Sequence, residues 1–211
     1  CAALFQLIGT APVDGVAKHS INILGDFNLA GEIWIIRDYY AKMGIEVTAT
    51  ITGDGRVDQI RKAHGAALNL VQCSGSMNYL ARLLKDKYGT PYQQVSYFGI
   101  EDMAGSLYQA AEFFGDREML RRTQELIQAE IAAVYPQIKE YRQALKGKKA
   151  AVYVGGAFKA ISLVKALRLL GMEVVMVGSQ TGNPEDYRLL KEICNQGTII
   201  VDDSNPLELS E

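Results

Sequence analysis

Short apolar runs alternate with longer amphipathic stretches along this 211-residue chain, and most of the amphipathic stretches close on glycine. "SINILGD" (20–26) reads as a buried strand. "AGEIWIIRDYYAKMG" (30–44) reads as a helix, because Ile33, Ile36, Tyr40 and Met43 recur at helical spacing and Gly44 can end it. "IEVTATIT" (45–52) is rich in β-branched residues and reads as a strand, and "GDGRVDQIRKAHG" (53–65) as a turn and short helix. "AALNLVQ" (66–72), "SMNYLARLLKDKYG" (76–89) and "YQQVSYFG" (92–99) continue as strand, helix and strand. Strands separated by helices at this interval predict a parallel, doubly wound sheet.

The middle of the chain breaks the pattern. Residues 100–115 and 116–147 are helical, the second stretch long and charged with an apolar stripe at Leu120, Leu126, Ile127, Ile131 and Val134. The charges read as a solvated face. Pro136 is expected to kink or restart this helix. The alternation then resumes: "KKAAVYVGG" (148–156) as strand, 157–171 as helix, 172–182 as strand and loop, 183–197 as helix, "TIIVDD" (198–203) as strand. Asn183 is the expected N-cap and Pro184 the first helical residue. The predicted fold is α/β: two doubly wound, Rossmann-like parallel-sheet domains over 1–115 and 148–211, joined by a helical connector over 116–147. Three strands leave a small second sheet with unpaired edges, so that domain is expected to be truncated. The absence of an initial Met and the abrupt "NPLELSE" end point the same way.

A net charge of −2 without a dense basic patch argues against nucleic acid as a partner. No apolar run reaches the roughly 18 residues of a membrane span, and "CAALFQLIGT" lacks a basic leader. Three cysteines, Cys1, Cys73 and Cys194, show no C-x-x-C spacing. A disulfide scaffold and a four-thiolate metal site are therefore not expected, and a reducing cytoplasm fits best.

Ligands of open parallel sheets bind beyond the carboxyl ends of the strands. The residues there are Asp26, Phe27 and Asn28; Gly53, Asp54 and Gly55; Cys73 to Ser76; and Gly99, Glu101 and Asp102. In the second domain they are Gly155, Gly156, Gly178 to Thr181, Asp202 and Asp203. Cys73 opens a helix, where a thiolate is favoured. It can be a buried inert thiol, a nucleophile or a ligand. The nucleophile reading needs a histidine base, yet His19 and His64 both precede strands, at the opposite edge. "GGAFKA" does not complete a dinucleotide fingerprint. It suits close approach of bare backbone to a bulky anion instead, with Lys159 adding charge or simply solvated. "TGDGR" is most simply a turn before a helix, and "DDSNP" a capping turn.

"INILGDFNLAGEIW", "TGDGR", "LNLVQCSGSMNYL", "KYGTPY", "YFGIEDM", "YVGGAFKA", "GMEVVMVGSQTG" and "IIVDDSNPLEL" together resemble the nitrogenase component 1 superfamily, in order and over nearly the whole chain. Within it the likeness is to the scaffold proteins on which the iron–molybdenum cofactor is assembled. The resemblance implies a non-catalytic scaffold that holds an iron–sulfur precursor of that cofactor until it is passed on. It implies a heterotetramer with a NifN-type partner subunit, and encounters with a cofactor carrier and the nitrogenase iron protein. It also implies a second cluster at the subunit interface, on cysteines N-terminal to the region present here. By the same resemblance Cys73 is the metal ligand, Ser76 lies beside it, Phe27 and Leu29 form a pocket wall, and Gly155 and Gly156 line the cofactor. An arginine that the catalytic alpha subunits carry two residues after the glycine pair is Phe158 here, followed by Lys159. That departure favours transient holding over permanent holding. The alternative reading is a catalytic alpha-type subunit, an oxidoreductase. One thiolate is a poor site for a single ion but can anchor a preformed cluster carrying its own sulfides.

Overall fold

The structure, a computed structural model, describes residues 1–72 and 74–201. The chain divides into two compact units, Cys1–Tyr97 with Gly105–Ile127, and Phe98–Ala104 with the residues from Gln128 onward. The divisions fall just before and within α5 (Ile100–Phe114) and within α6 (Arg117–Leu145).

The first unit is built on β1 (Ser20–Asp26), β2 (Glu46–Thr52), β3 (Leu68–Val71) and β4 (Tyr92–Gln94). All pairs are parallel, in the order β2-β1-β3-β4. β1 is central and buried at every position, including the polar Ser20, Asn22 and Asp26, as expected of a strand covered on both faces. On one face Leu24, Ala49, Ile51 and Val71 pack against Leu80, Ala81 and Leu84 of α4 (Ser74–Tyr88) and Ile60 of α3 (Val57–Lys62). Each large side chain so buried stabilises the fold by about 1.5–3 kcal/mol. A short α1 (Ala2–Leu7), not anticipated from the sequence, adds Leu4, Phe5 and Leu7 to this cluster. α2 (Glu32–Met43) buries Ile33, Ile36, Tyr40 and Met43, the four residues of its predicted stripe, and stops at Gly44 with φ 89°.

Among the buried polar side chains of this sheet, two meet across neighbouring strands. Asn22 and Asn69 are register partners on β1 and β3. Asn22 Nδ2 donates to Asn69 Oδ1 at 2.8 Å and to the Ala63 carbonyl at 2.7 Å. The pair ties the two strands to the 3-10 turn Ala63–Gly65.

The second unit holds β5 (Lys149–Gly156), β6 (Glu173–Thr181) and β7 (Ile199–Val201), parallel in the order β5-β6-β7. Val152, Val174 and Val177 pack against Ala160, Ile161 and Val164 of α7 (Ala157–Leu169) and Leu190 of α8 (Pro184–Ile193). Asn183 caps α8 as expected: its side chain accepts from the Asp186 amide, and Asp186 accepts from the Asn183 amide in return.

Two expectations need revision. Of the two effects expected of Pro136, a restart is ruled out: α6 runs unbroken through it. A proline removes one backbone donor; residues 132–137 are exposed, so water can satisfy the carbonyl left without that donor. β4 is three residues long, not eight. Val95 still donates from its amide to the Val71 carbonyl, but Ser96 then turns to Ser106, whose hydroxyl binds both its amide and its carbonyl.

Candidate functional site

The candidate residues lie at the carboxyl edges of the two sheets. In the first unit, β1 ends at the buried Asp26 and the chain turns sharply. Asp26 Oδ1 accepts from the Asn28 amide at 2.8 Å, and Asn28 takes the left-handed conformation, φ 53°. Asn28 Oδ1 accepts from the Ile33 amide, and the Glu32 carboxylate accepts from the amides of Leu29 and Ala30 at 3.0 and 2.7 Å. The polar residues of "GDFNLAGE" are thus consumed in holding their own loop. Phe27 and Leu29, 50% and 85% exposed, are left projecting from it. Gly53 supports the loop from β2: its amide donates to the Asp26 carbonyl at 2.7 Å. Trp34 Nε1 donates to Asp54 Oδ2 at 3.3 Å.

Beneath this edge Tyr40 and Tyr97 share a buried hydroxyl–hydroxyl hydrogen bond of 3.0 Å. Burial raises both phenol pKa values, and for Tyr97 the charges of Tyr40 and Asp26 add to the effect. Both stay protonated at ordinary pH and act as neutral hydrogen-bonding groups.

Ser76 is exposed in the first turn of α4, and its carbonyl accepts from Cys1 Sγ at 3.1 Å. The sequence pattern gave no sign of that contact. Cys73 lies outside the described residues, as do Asp202 and Asp203. His19 directly precedes β1 and packs against Phe114, and His64 precedes β3 against Tyr88, so both lie at the amino edge as expected. Among the described residues no three His, Cys, Asp or Glu side chains converge on a metal position, and no helix is long and apolar enough to cross a membrane.

In the second unit Gly155 and Gly156 end β5, and Gly156 is the N-cap of α7 with no side-chain cap. A Cβ at Gly156 would meet nothing within 4 Å; at Gly155 it would meet only Gln180 Oε1, at 3.9 Å. Thr181 Oγ1 donates to the Gly155 carbonyl at 2.8 Å, fixing the turn. Two consecutive residues are therefore bare backbone beside open space, next to the uncapped amides of a helix start and the exposed Lys159. Unpaired amides, the helix dipole and an ammonium all favour negative charge. Sequence reasoning placed these residues at the edge but did not find what holds them: the Lys159 ammonium lies 5.8 Å from the centroid of the Phe98 ring.

The fold is that of a doubly wound α/β protein with its candidate residues at the carboxyl ends of parallel strands. The chain matches the family Nitrogenase component 1 type Oxidoreductase over residues 1–211, and it belongs to that family. It is 49% identical over its whole length to the nitrogenase iron-molybdenum cofactor biosynthesis protein NifE of Clostridium pasteurianum, covering 46% of that protein. It is 45% identical to the NifE of Methanosarcina barkeri, again over its whole length and covering 48% of the relative. A nitrogenase molybdenum-iron protein alpha chain, from Methanothermobacter marburgensis, is 38% identical over 99% of this chain and 44% of its own length. Among solved structures, nitrogenase Cp1 at pH 6.5 superposes with a TM-score of 0.88 at 26% identity, covering 99% of this chain and 50% of that one. The chain spans about half the length of the relatives it matches.

Proposed function

We propose that this chain is part of an assembly scaffold for the nitrogenase iron–molybdenum cofactor, holding an iron–sulfur precursor as cargo before transfer to the catalytic component. The observation that carries the reading is that four relatives named NifE match at 45–49% identity, ahead of two alpha chains at 38–39%, although two further NifE proteins, at 37% and 36%, fall just below those alpha chains. In this reading Cys73 is the sulfur anchor, with Ser76 beside it. Phe27 and Leu29 are the apolar wall, free for that use because their loop is held by Asp26, Asn28 and Glu32 instead. Gly155, Gly156 and Lys159 face the anionic cargo. The residues present fit it in one respect that geometry tests: nothing within 4 Å would oppose a Cβ on Gly156, so backbone amides are accessible to a bulky group there.

The scaffold works with a NifN-type subunit in a heterotetramer and meets a cofactor carrier and the nitrogenase iron protein, in the cytoplasm. The ligands of the second, interface cluster lie outside this chain. The alternative is a catalytic alpha-type subunit, favoured by the 38% and 39% matches to alpha chains. Anaerobic reconstitution of the full-length protein with iron and sulfide separates them. Transfer of cofactor activity to a cofactor-free nitrogenase, lost in Cys73→Ala, supports the scaffold. Substrate reduction by the reconstituted complex itself supports the alternative. Unchanged cluster spectra and transfer in Cys73→Ala would remove Cys73 as anchor.

A further inference from the structure

We propose that Phe98 is the positioning residue for Lys159, and that the segment 98–104 is a strap that fixes both. This rests on reading the start of α7 as the anion-binding end of the site.

The strap lies along one face of α7. The Phe98 ring is 5.8 Å from Lys159 Nζ. A Cβ on Gly99 would stand 3.7 Å from Ala166 Cβ. Asp102 accepts from Ser162 Oγ and, at 2.7 Å, from Lys165 Nζ, and Glu101 Oε1 is 3.0 Å from the same ammonium. Lys159, Ser162 and Lys165–Ala166 are spaced by three or four residues, which places them in one row on the helix. Asp102, with its side chain 14% exposed, is the fixed point; Glu101, 72% exposed, contributes little.

A lysine at an exposed helix start samples many rotamers, and that freedom is lost when it contacts an anion. An aromatic face that attracts the ammonium reduces the loss beforehand. Among the described residues Lys159 has no carboxylate partner, so its charge is not neutralised by the contact that orients it. A ring can hold an ammonium in this way without competing for it as a carboxylate would.

The test uses the intact protein. Reductive methylation with a 13C label gives each lysine a dimethylammonium signal, and Lys159 is identified by the signal missing in Lys159→Arg. The Phe98 ring current displaces that signal from those of exposed lysines. Phe98→Leu is expected to return it to their position, and Phe98→Tyr to keep it displaced. After anaerobic reconstitution with iron and sulfide, iron retention is measured across a potassium chloride series. Phe98→Leu is expected to hold iron about two- to fivefold more weakly, Phe98→Tyr to restore it, and Phe98→Leu to add nothing to Lys159→Met. A Lys159 signal unmoved by Phe98→Leu overturns the proposal, as does a Phe98→Leu effect that persists in full in the Lys159→Met background. A signal that moves as expected while Lys159→Met retains all its iron overturns the anion role of Lys159 and leaves the Phe98–Lys159 pairing standing.

Discussion

Gly53 lies against the backbone of Asn28 so closely that a Cβ at residue 53 would stand 2.6 Å from the Asn28 amide nitrogen and 2.6 Å from the Phe27 carbonyl carbon. The obstacles are backbone atoms, which cannot rotate aside like the end of a side chain. Gly53→Ala must therefore push the 27–28 turn off β2. The expected cost is about 1–3 kcal/mol, read as a lower urea midpoint at unchanged slope. Because the displaced turn carries Phe27 and Leu29, tryptophan fluorescence from the neighbouring Trp34, bound to Asp54, is expected to change as well. A variant with wild-type midpoint and spectrum would mean the turn is soft.

The strap makes a second expectation, in stability rather than binding. Partial burial acts to lower the Lys165 pKa, but its hydrogen bonds to Asp102 and Glu101 and their charges outweigh it, and the ammonium titrates above its ordinary 10.5. A folded pKa above the unfolded value stabilises fully below the unfolded pKa and is lost as pH rises through the folded one. The stability difference between wild type and Lys165→Met is thus expected to be flat from neutral pH to about 10 and to shrink above 10.5. Asp102→Ala removes the acceptor of both Ser162 and Lys165 and should cost about 1.5–3 kcal/mol at neutral pH. Denaturant titrations across this range check both. A difference that instead grows with rising pH would contradict the ion pair.

The α8 start is a third case. Asn183 Oδ1 accepts from the Asp186 amide at 2.9 Å and Asp186 Oδ2 from the Asn183 amide at 3.1 Å. Asn183→Ala is expected to cost about 1 kcal/mol, and hydrogen exchange should show it as loss of protection confined to the first turn of α8.

How much of this was legible depends on whether the cause was periodic. For β1, buried on both faces, the span predicted from sequence, 20–26, is the span observed. The α2 stripe repeats at helical spacing, and the four residues read from it are the four buried. The Asn183–Pro184 start of α8 is a local signal and also held. β4 was overextended because a run of apolar and aromatic residues is not itself a strand: the Ser106 hydroxyl, from α5, takes the Ser96 backbone out of the ladder. Topology alone places Phe27, Gly155 and Gly156 at strand ends, and the resemblance adds Leu29. What fixes them came from contacts distant in sequence, Gly53 under Asn28 and Phe98 beside Lys159, which no spacing encodes. Cys73 stands out in the sequence and lies outside the described residues, so the role proposed for it rests on the resemblance alone.

Gly156→Ala isolates the proposed binding role from stability, in contrast to Gly53→Ala. Gly156 has φ −133°, an extended conformation any residue adopts, and a Cβ there would meet nothing within 4 Å. Folding stability is expected to fall by no more than about 1 kcal/mol, since Gly156 is the N-cap of α7 and alanine is the poorer cap. The added methyl would nevertheless stand where bare backbone is proposed to approach the cargo. Iron retained after reconstitution of the intact protein should then fall, and fall further in Gly156→Val, while urea midpoints stay near the wild-type value. Full retention in both variants would show that the open space over Gly156 is not used by the cargo, and would move the anion contact to Lys159 alone.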